Sequence, residues 1–142
     1  MKKTLSMLLF LTTLTLTLSA CGAGKLEIED YEWKMRTVME NNSEINVPAV
    51  GEPDAAHPDA KIVDMTLVAK DGKIIVTDLT NNKTYEGTYT VSGKSPKGTN
   101  YTVTIDGKEG NATVAMTEYA DGSEEPTLPI NLGDYSVYFY AE

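Results

Sequence analysis

The sequence predicts an all-β domain: eight antiparallel strands in meander order, closed as an up-and-down barrel or, alternatively, folded over as a two-layer β-sandwich. Three observations carry that expectation. Apolar and polar residues alternate with period two through most of the chain after Asp30. Turn pairs separate the alternating runs at Asp71-Gly72, Asn81-Asn82 and Gly133-Asp134. No stretch carries a convincing helical period. Meander order with tight hairpins favours the barrel, because sandwiches generally need long Greek-key crossovers.

The first strand is read over Tyr31–Glu40, with Tyr31, Trp33, Met35 and Met39 on one face and Glu32, Lys34, Arg36 and Glu40 on the other. Asn41 to Ala60 follows as a 20-residue connection holding Pro48, Pro53 and Pro58. A loop that long is characteristically functional or disordered, and it is expected to act as a lid.

Two tight hairpins then fix a register. Around Asp71-Gly72, Ala69 should face Ile74, Leu67 should face Val76 and Met65 should face Asp78. Around Asn81-Asn82, Asp78 should face Tyr85, Val76 should face Gly87 and Ile74 should face Tyr89. One face thus collects Val63, Met65, Leu67, Ala69, Ile74, Val76, Tyr85, Tyr89 and Val91. A one-residue slip would destroy that separation. Tyr101, Val103 and Ile105 form the next inward set, a turn is expected over Gly107–Gly110, and Ala112, Val114 and Met116 continue inward. Asp121–Pro126 reads as a polar loop. The last hairpin sets Leu128, Ile130 and Leu132 opposite Phe139, Val137 and Tyr135, with Pro129 outward where its missing N–H is tolerated.

Composition narrows the function. The chain has 142 residues, one domain's worth, with 12 basic against 21 acidic residues and a formal charge of −9. A nucleic-acid partner would require clustered positive charge, so none is expected. One Cys and one His exclude an intramolecular disulfide and a Cys/His zinc site. His57, between Asp54 and Asp59, sits in a Pro-rich loop without further His or Cys, and Asp121–Glu125 reads as a solvated acidic turn. No metal and no cofactor are therefore expected. Nucleophilic catalysis needs a base beside the nucleophile, and no such pairing stands out, so no enzyme is expected.

The N-terminus carries an address. Met1-Lys2-Lys3 is a short positive segment, and Leu5–Leu18 is uncharged. At 14 residues it is shorter than the ~20 needed to span a bilayer and suits a signal-peptide core. Leu18-Ser19-Ala20-Cys21 resembles the bacterial lipoprotein lipobox. That resemblance implies lipid on the Cys21 sulfur (palmitate among the acyl chains), cleavage before Cys21, and a protein held on the extracytoplasmic face of a cell membrane. The expected organisation is a signal peptide over 1–20, a lipidated Cys and tether over 21–30, and the barrel over 31–142. Without Lys2 and Lys3 the 12 basic residues become 10 against 21 acidic, a net −11. So acidic a chain is repelled by anionic lipid overall, which leaves the acyl chains to hold it.

From about residue 26 to 141 the chain is similar to the small lipocalin-like domains of bacterial lipoproteins. The likeness rests on Trp33 in the first strand, the long first loop, and the run Tyr85-Glu86-Gly87-Thr88-Tyr89-Thr90-Val91 in the middle of the meander. Tyr31 stands where the family signature, Gly-x-Trp, has its Gly. The resemblance implies a small, partly apolar ligand in the barrel mouth beneath the first loop. Among the inward residues, Trp33, Met35, Met65, Tyr85, Tyr89 and Phe139 are the expected ligand contacts. Asp78, on the inward phase, is expected at the wet rim or as an anchor for a polar ligand group. The competing expectation is a cell-surface interaction domain with a solid core, working through acidic loops or exposed Tyr138 and Tyr140, its protein partner unspecified.

Overall fold

In a computed structural model describing residues 26–47 and 59–142, ten strands make one sheet that closes on itself. They are β1 (Trp33–Glu40), β2 (Ser43–Val47), β3 (Lys61–Ile62), β4 (Met65–Lys70), β5 (Lys73–Asp78), β6 (Lys83–Ser95), β7 (Gly98–Ile105), β8 (Lys108–Glu118), β9 (Glu124–Leu132) and β10 (Tyr135–Ala141). A 3-10 turn, Ile28–Asp30, precedes them. Strands β4 to β10 pair in sequence order, β10 pairs with β1, and β1 returns to β4. The result is the expected closed, eight-stranded antiparallel barrel. The signal segment, Cys21, Asp54 and His57 lie outside the described residues.

Strand β1 is the seam. Its whole length pairs with β10 on one side. On the other, Trp33 and Lys34 pair with Leu67 and Thr66 of β4, whereas Val38 to Glu40 pair with β2. Strand β2 runs parallel to β3 at Asn46–Lys61 and Val47–Ile62, forming a flap outside the barrel wall. Part of the connection expected as one long loop is therefore a strand. Its turn, Asn41-Asn42, holds both residues at positive φ (49° and 65°), the conformation of a two-residue hairpin that Asn tolerates.

The two outer hairpins have the expected register. Leu67 lies opposite Val76 and Ala69 opposite Ile74 around Asp71-Gly72. Leu128 lies opposite Phe139 and Ile130 opposite Val137 around Gly133-Asp134. The β5–β6 pairing differs by two residues: Val76 faces Tyr85, Ile74 faces Gly87, and Asp78 faces Lys83. The cause is the Asp78 carboxylate, which accepts from the Asn81 backbone N–H at 2.9 Å and from Asn81 Nδ2 at 2.7 Å. Those bonds stabilise a four-residue loop, Leu79–Asn82, in place of a two-residue turn. An even shift keeps each side chain on its own face, so the apolar face survives.

Other expectations fail for local reasons. A bulge between Met35 and Thr37 advances the alternation by one, so Val38 is buried where Met39 was expected inside. The turn expected over Gly107–Gly110 is the tighter Asp106-Gly107, with φ of 51° and 74°. Strand β9 begins at Glu124, inside the expected polar loop. Val91 and Met116, expected inward, are 49% and 42% exposed. Strands β6 and β8, at 13 and 11 residues, outrun β4 and β5 at six each. Met116, near the long end of β8, borders a groove shared with Leu26 and the end of β6 rather than the packed core.

Candidate ligand-binding cavity

The barrel has a plugged end and an open end. At the plugged end lie the start of β1, the β4–β5 turn and the start of β7. The segment expected as tether, Leu26–Asp30, instead seals this end. Ile28 is fully buried. Its N–H donates to the Tyr101 hydroxyl at 3.0 Å, and its carbonyl accepts from Trp33 Nε1 at 2.8 Å. The flanking acids reach outward: Glu27 pairs with Lys94 at 2.6 Å, and Glu29 accepts from the Asp71 N–H at 2.9 Å and from the Tyr89 hydroxyl. Glu27 and Asp30 also close the turn on themselves, with the Glu27 N–H donating to Asp30 Oδ2 at 2.9 Å. Removal from water, then the bond to Glu29, pushes the Tyr89 phenol up to about 12. Tyr101 is likewise raised, chiefly by desolvation. Tyr89 and Tyr101 meet edge to face, centroids 5.6 Å apart.

The open end carries the last residues of β1, β5, β7 and β9 and the first of β4, β6, β8 and β10. Here the side chains do not meet. They leave a cavity of about 230 Å³ walled by Val38, Val76, Ile105, Ile130 and Phe139, with Ile45 and Asn46 of the flap completing one side. Three expected ligand contacts, Met65, Tyr85 and Phe139, stand on this wall. Trp33, Met35 and Tyr89 do not. Trp33 and Met35 are packed at 0% and 1% exposure in the core, and Tyr89 is tied to the plug. Sequence alternation assigned all six to the inside, but it could not say at which height the barrel fills. The aliphatic wall residues Val38, Ile45, Ile105 and Ile130 were not singled out, although period two places Ile105 and Ile130 inward.

The mouth is polar and aromatic. Lys108 Nζ lies 4.6 Å from the Tyr135 ring centroid, and Lys83 Nζ lies 4.7 Å from that of Tyr85. A hydrogen bond to Glu40 is the first cause that raises the Tyr135 phenol above its ordinary value. Asp106 and Lys108 complete the rim. Asp78, 4% exposed, is engaged with Asn81 and is absent from the cavity wall; it faces a second groove between the flap and the β5–β6 loop.

Chemically, this arrangement is suited to taking apolar surface out of water, at ~25 cal/mol per Å². Its volume lies just below the ~300–1,000 Å³ of drug-sized sites, so it suits a small molecule or one arm of a larger one. Among the described residues no group of His, Cys, Asp and Glu is placed to hold a metal ion. Asp121 accepts from the Ser123 N–H and hydroxyl at 2.9 and 2.6 Å, which closes that acidic turn on itself. No family model, curated protein or solved structure matches the chain, so its function has to be read from the cavity itself.

Proposed function

We propose that this chain is a lipocalin-like binding domain of a bacterial lipoprotein, anchored through lipid on Cys21 at the outer side of a cell membrane. It would take a small, partly apolar ligand into the open end of its barrel and carry out no chemistry on it. The observation that supports this most is the aliphatic and aromatic cavity of about 230 Å³ beneath a polar rim. A barrel of eight strands has room to fill itself with side chains or to keep space for one small ligand. Here the plugged end is filled and the open end is not. The anchor rests on the lipobox-like Leu18–Cys21 and on a net charge that offers no general electrostatic attraction to anionic lipid.

Native mass spectrometry of protein purified under non-denaturing conditions tests the binding role. A co-purifying small molecule, lost in Val38→Trp, which fills the cavity, supports the reading. Its absence from repeated preparations of folded protein favours the interaction-domain reading, for which half-exposed Tyr138 is the available surface. The mass of the N-terminal peptide reads the anchor separately: Cys21 should carry acyl chains and no preceding residue.

A further inference from the structure

We propose that the β4–β5 hairpin is a membrane-contact finger, laying Val68 and Ile75 against an anionic lipid surface with Lys70 and Lys73 among the headgroups. This rests on the reading that Cys21 carries the lipid.

The outer face of the hairpin sets an exposed apolar pair beside two lysines on a chain that is acidic overall. Val68 and Ile75 lie directly opposite each other and are 46% and 47% exposed. The next outward pair toward the tip is Lys70 opposite Lys73. Like charges in direct opposition work against a hairpin, and among the described residues neither lysine forms an ion pair that would relieve them. Asp71 at the tip, Glu29 bonded to its N–H, exposed Glu32 just before Trp33 on the β1 side, and Glu86 across from Ile75 on β6 bound the patch with negative charge. Neither ammonium group is ion-paired to them, and the β-branched pair is left uncovered. An anionic surface supplies counter-charge to both ammonium groups and covers the β-branched pair, while the lysine stems lie along the apolar boundary.

Position makes the same case independently. The hairpin tip touches the plug, where the Asp71 N–H donates to Glu29. The chain leading back to Cys21 leaves from this plug. Four residues lie between Cys21 and Leu26, so the five Cα-to-Cα steps reach at most ~18 Å when fully extended. An acyl anchor on Cys21 therefore brings the hairpin end to the bilayer and leaves the cavity mouth at the far end, open to water. Two lysines near an anionic surface are worth about thirtyfold in local partitioning.

The test uses the full lipidated protein in vesicles. Because lipid occupies Cys21, Val68→Cys provides a single site for an environment-sensitive fluorophore, and Thr102→Cys, exposed on β7 two strands beyond β5, is the control. In phosphatidylglycerol-containing vesicles the Val68 label should be several-fold less accessible to an aqueous quencher than the control and should be quenched by lipid-borne quenchers. Pure phosphatidylcholine, or Lys70→Glu with Lys73→Glu in a chain whose melting temperature is retained, should remove most of that protection. Equal accessibility at both positions overturns the proposal. So does protection that persists in detergent with a doubled sedimentation mass, which would seat a second copy there. Peptide mass at Cys21 is read in the same samples, so a missing anchor is told apart from a hairpin that does not touch lipid.

Discussion

Tyr101→Phe tests whether the N-terminal turn truly seals the barrel. The substitution keeps the ring, and with it the edge-to-face contact to Tyr89. It removes one atom, the hydroxyl that accepts the Ile28 N–H at 3.0 Å. Ile28 is fully buried and Tyr101 is 1% exposed, so water cannot replace that oxygen. A buried donor left without a partner costs about 1–3 kcal/mol. For a domain of this size each kcal/mol is worth roughly 4 °C, so the melting temperature should fall by about 4–12 °C. Urea denaturation should show a lower midpoint with an unchanged slope, since the surface exposed on unfolding is the same. Hydrogen exchange supplies the local readout: the Ile28 amide, protected in the parent, should exchange freely in the variant. Ligand occupancy should stay as it was, because the cavity lies at the other end. An unchanged melting temperature together with a still-protected Ile28 amide would refute the plug.

Other outcomes follow from the same geometry. Asp78→Ala should cost about 1–2 kcal/mol by urea denaturation, since the carboxylate holds two Asn81 donors at the β5–β6 loop; it should leave ligand binding intact. Arg36→Ala should cost less than about 1 kcal/mol, because its 2.6 Å contact to Glu125 is made at a half-exposed surface where screening is strong. Tyr89 is raised from 10.0 to about 12 in the folded chain. Its contribution to stability is complete below pH 10 and is lost as pH rises toward 12, because the folded state then holds a proton the unfolded state has released. Tyr89→Phe should flatten that alkaline loss, as measured by melting temperature against pH alongside tyrosinate absorbance.

The parts of the fold that could be read from sequence are those governed by single strands and single turns. Asp71-Gly72 and Gly133-Asp134 each set a register that places Leu67 on Val76 and Leu128 on Phe139. The two Asn-Asn pairs show the limit. Asn41-Asn42 closes a two-residue hairpin, whereas Asn81-Asn82 does not, because Asp78 three residues earlier captures Asn81. The dipeptide is the same; the nearby carboxylate decides. The β1 bulge was hidden because Val38 and Met39 are adjacent and both apolar, so alternation fits either one inside. Its consequence is visible only in three dimensions: the bulge region presents Arg36 outward, where its guanidinium lies 5.0 Å from the Tyr140 ring centroid and bonds Tyr119 and Glu125.

The candidate site was legible by face and illegible by height. Period two sorts side chains into inside and outside, and Met65, Tyr85 and Phe139 were rightly placed inside. Which inward residues fill the barrel and which border space depends on the plug. Ile28-Glu29-Asp30 is too short to carry a periodicity. The available signal was the acidic spacing, Glu27 with Asp30, that closes such a turn on itself. Once Ile28 fills the core at the Trp33 end, the barrel interior stays open at the other, and the groove left at the plugged end lies outside the plug, between Leu26, Lys94–Thr99 and Met116.

Xenon binding tests the central claim most directly, since apolar cavities of comparable or smaller size admit it. A crystal under xenon pressure should show the atom among Val38, Ile105, Ile130 and Phe139, with none at the Trp33–Tyr101 end. A barrel whose open end has closed over these side chains, with no xenon inside, would contradict the account.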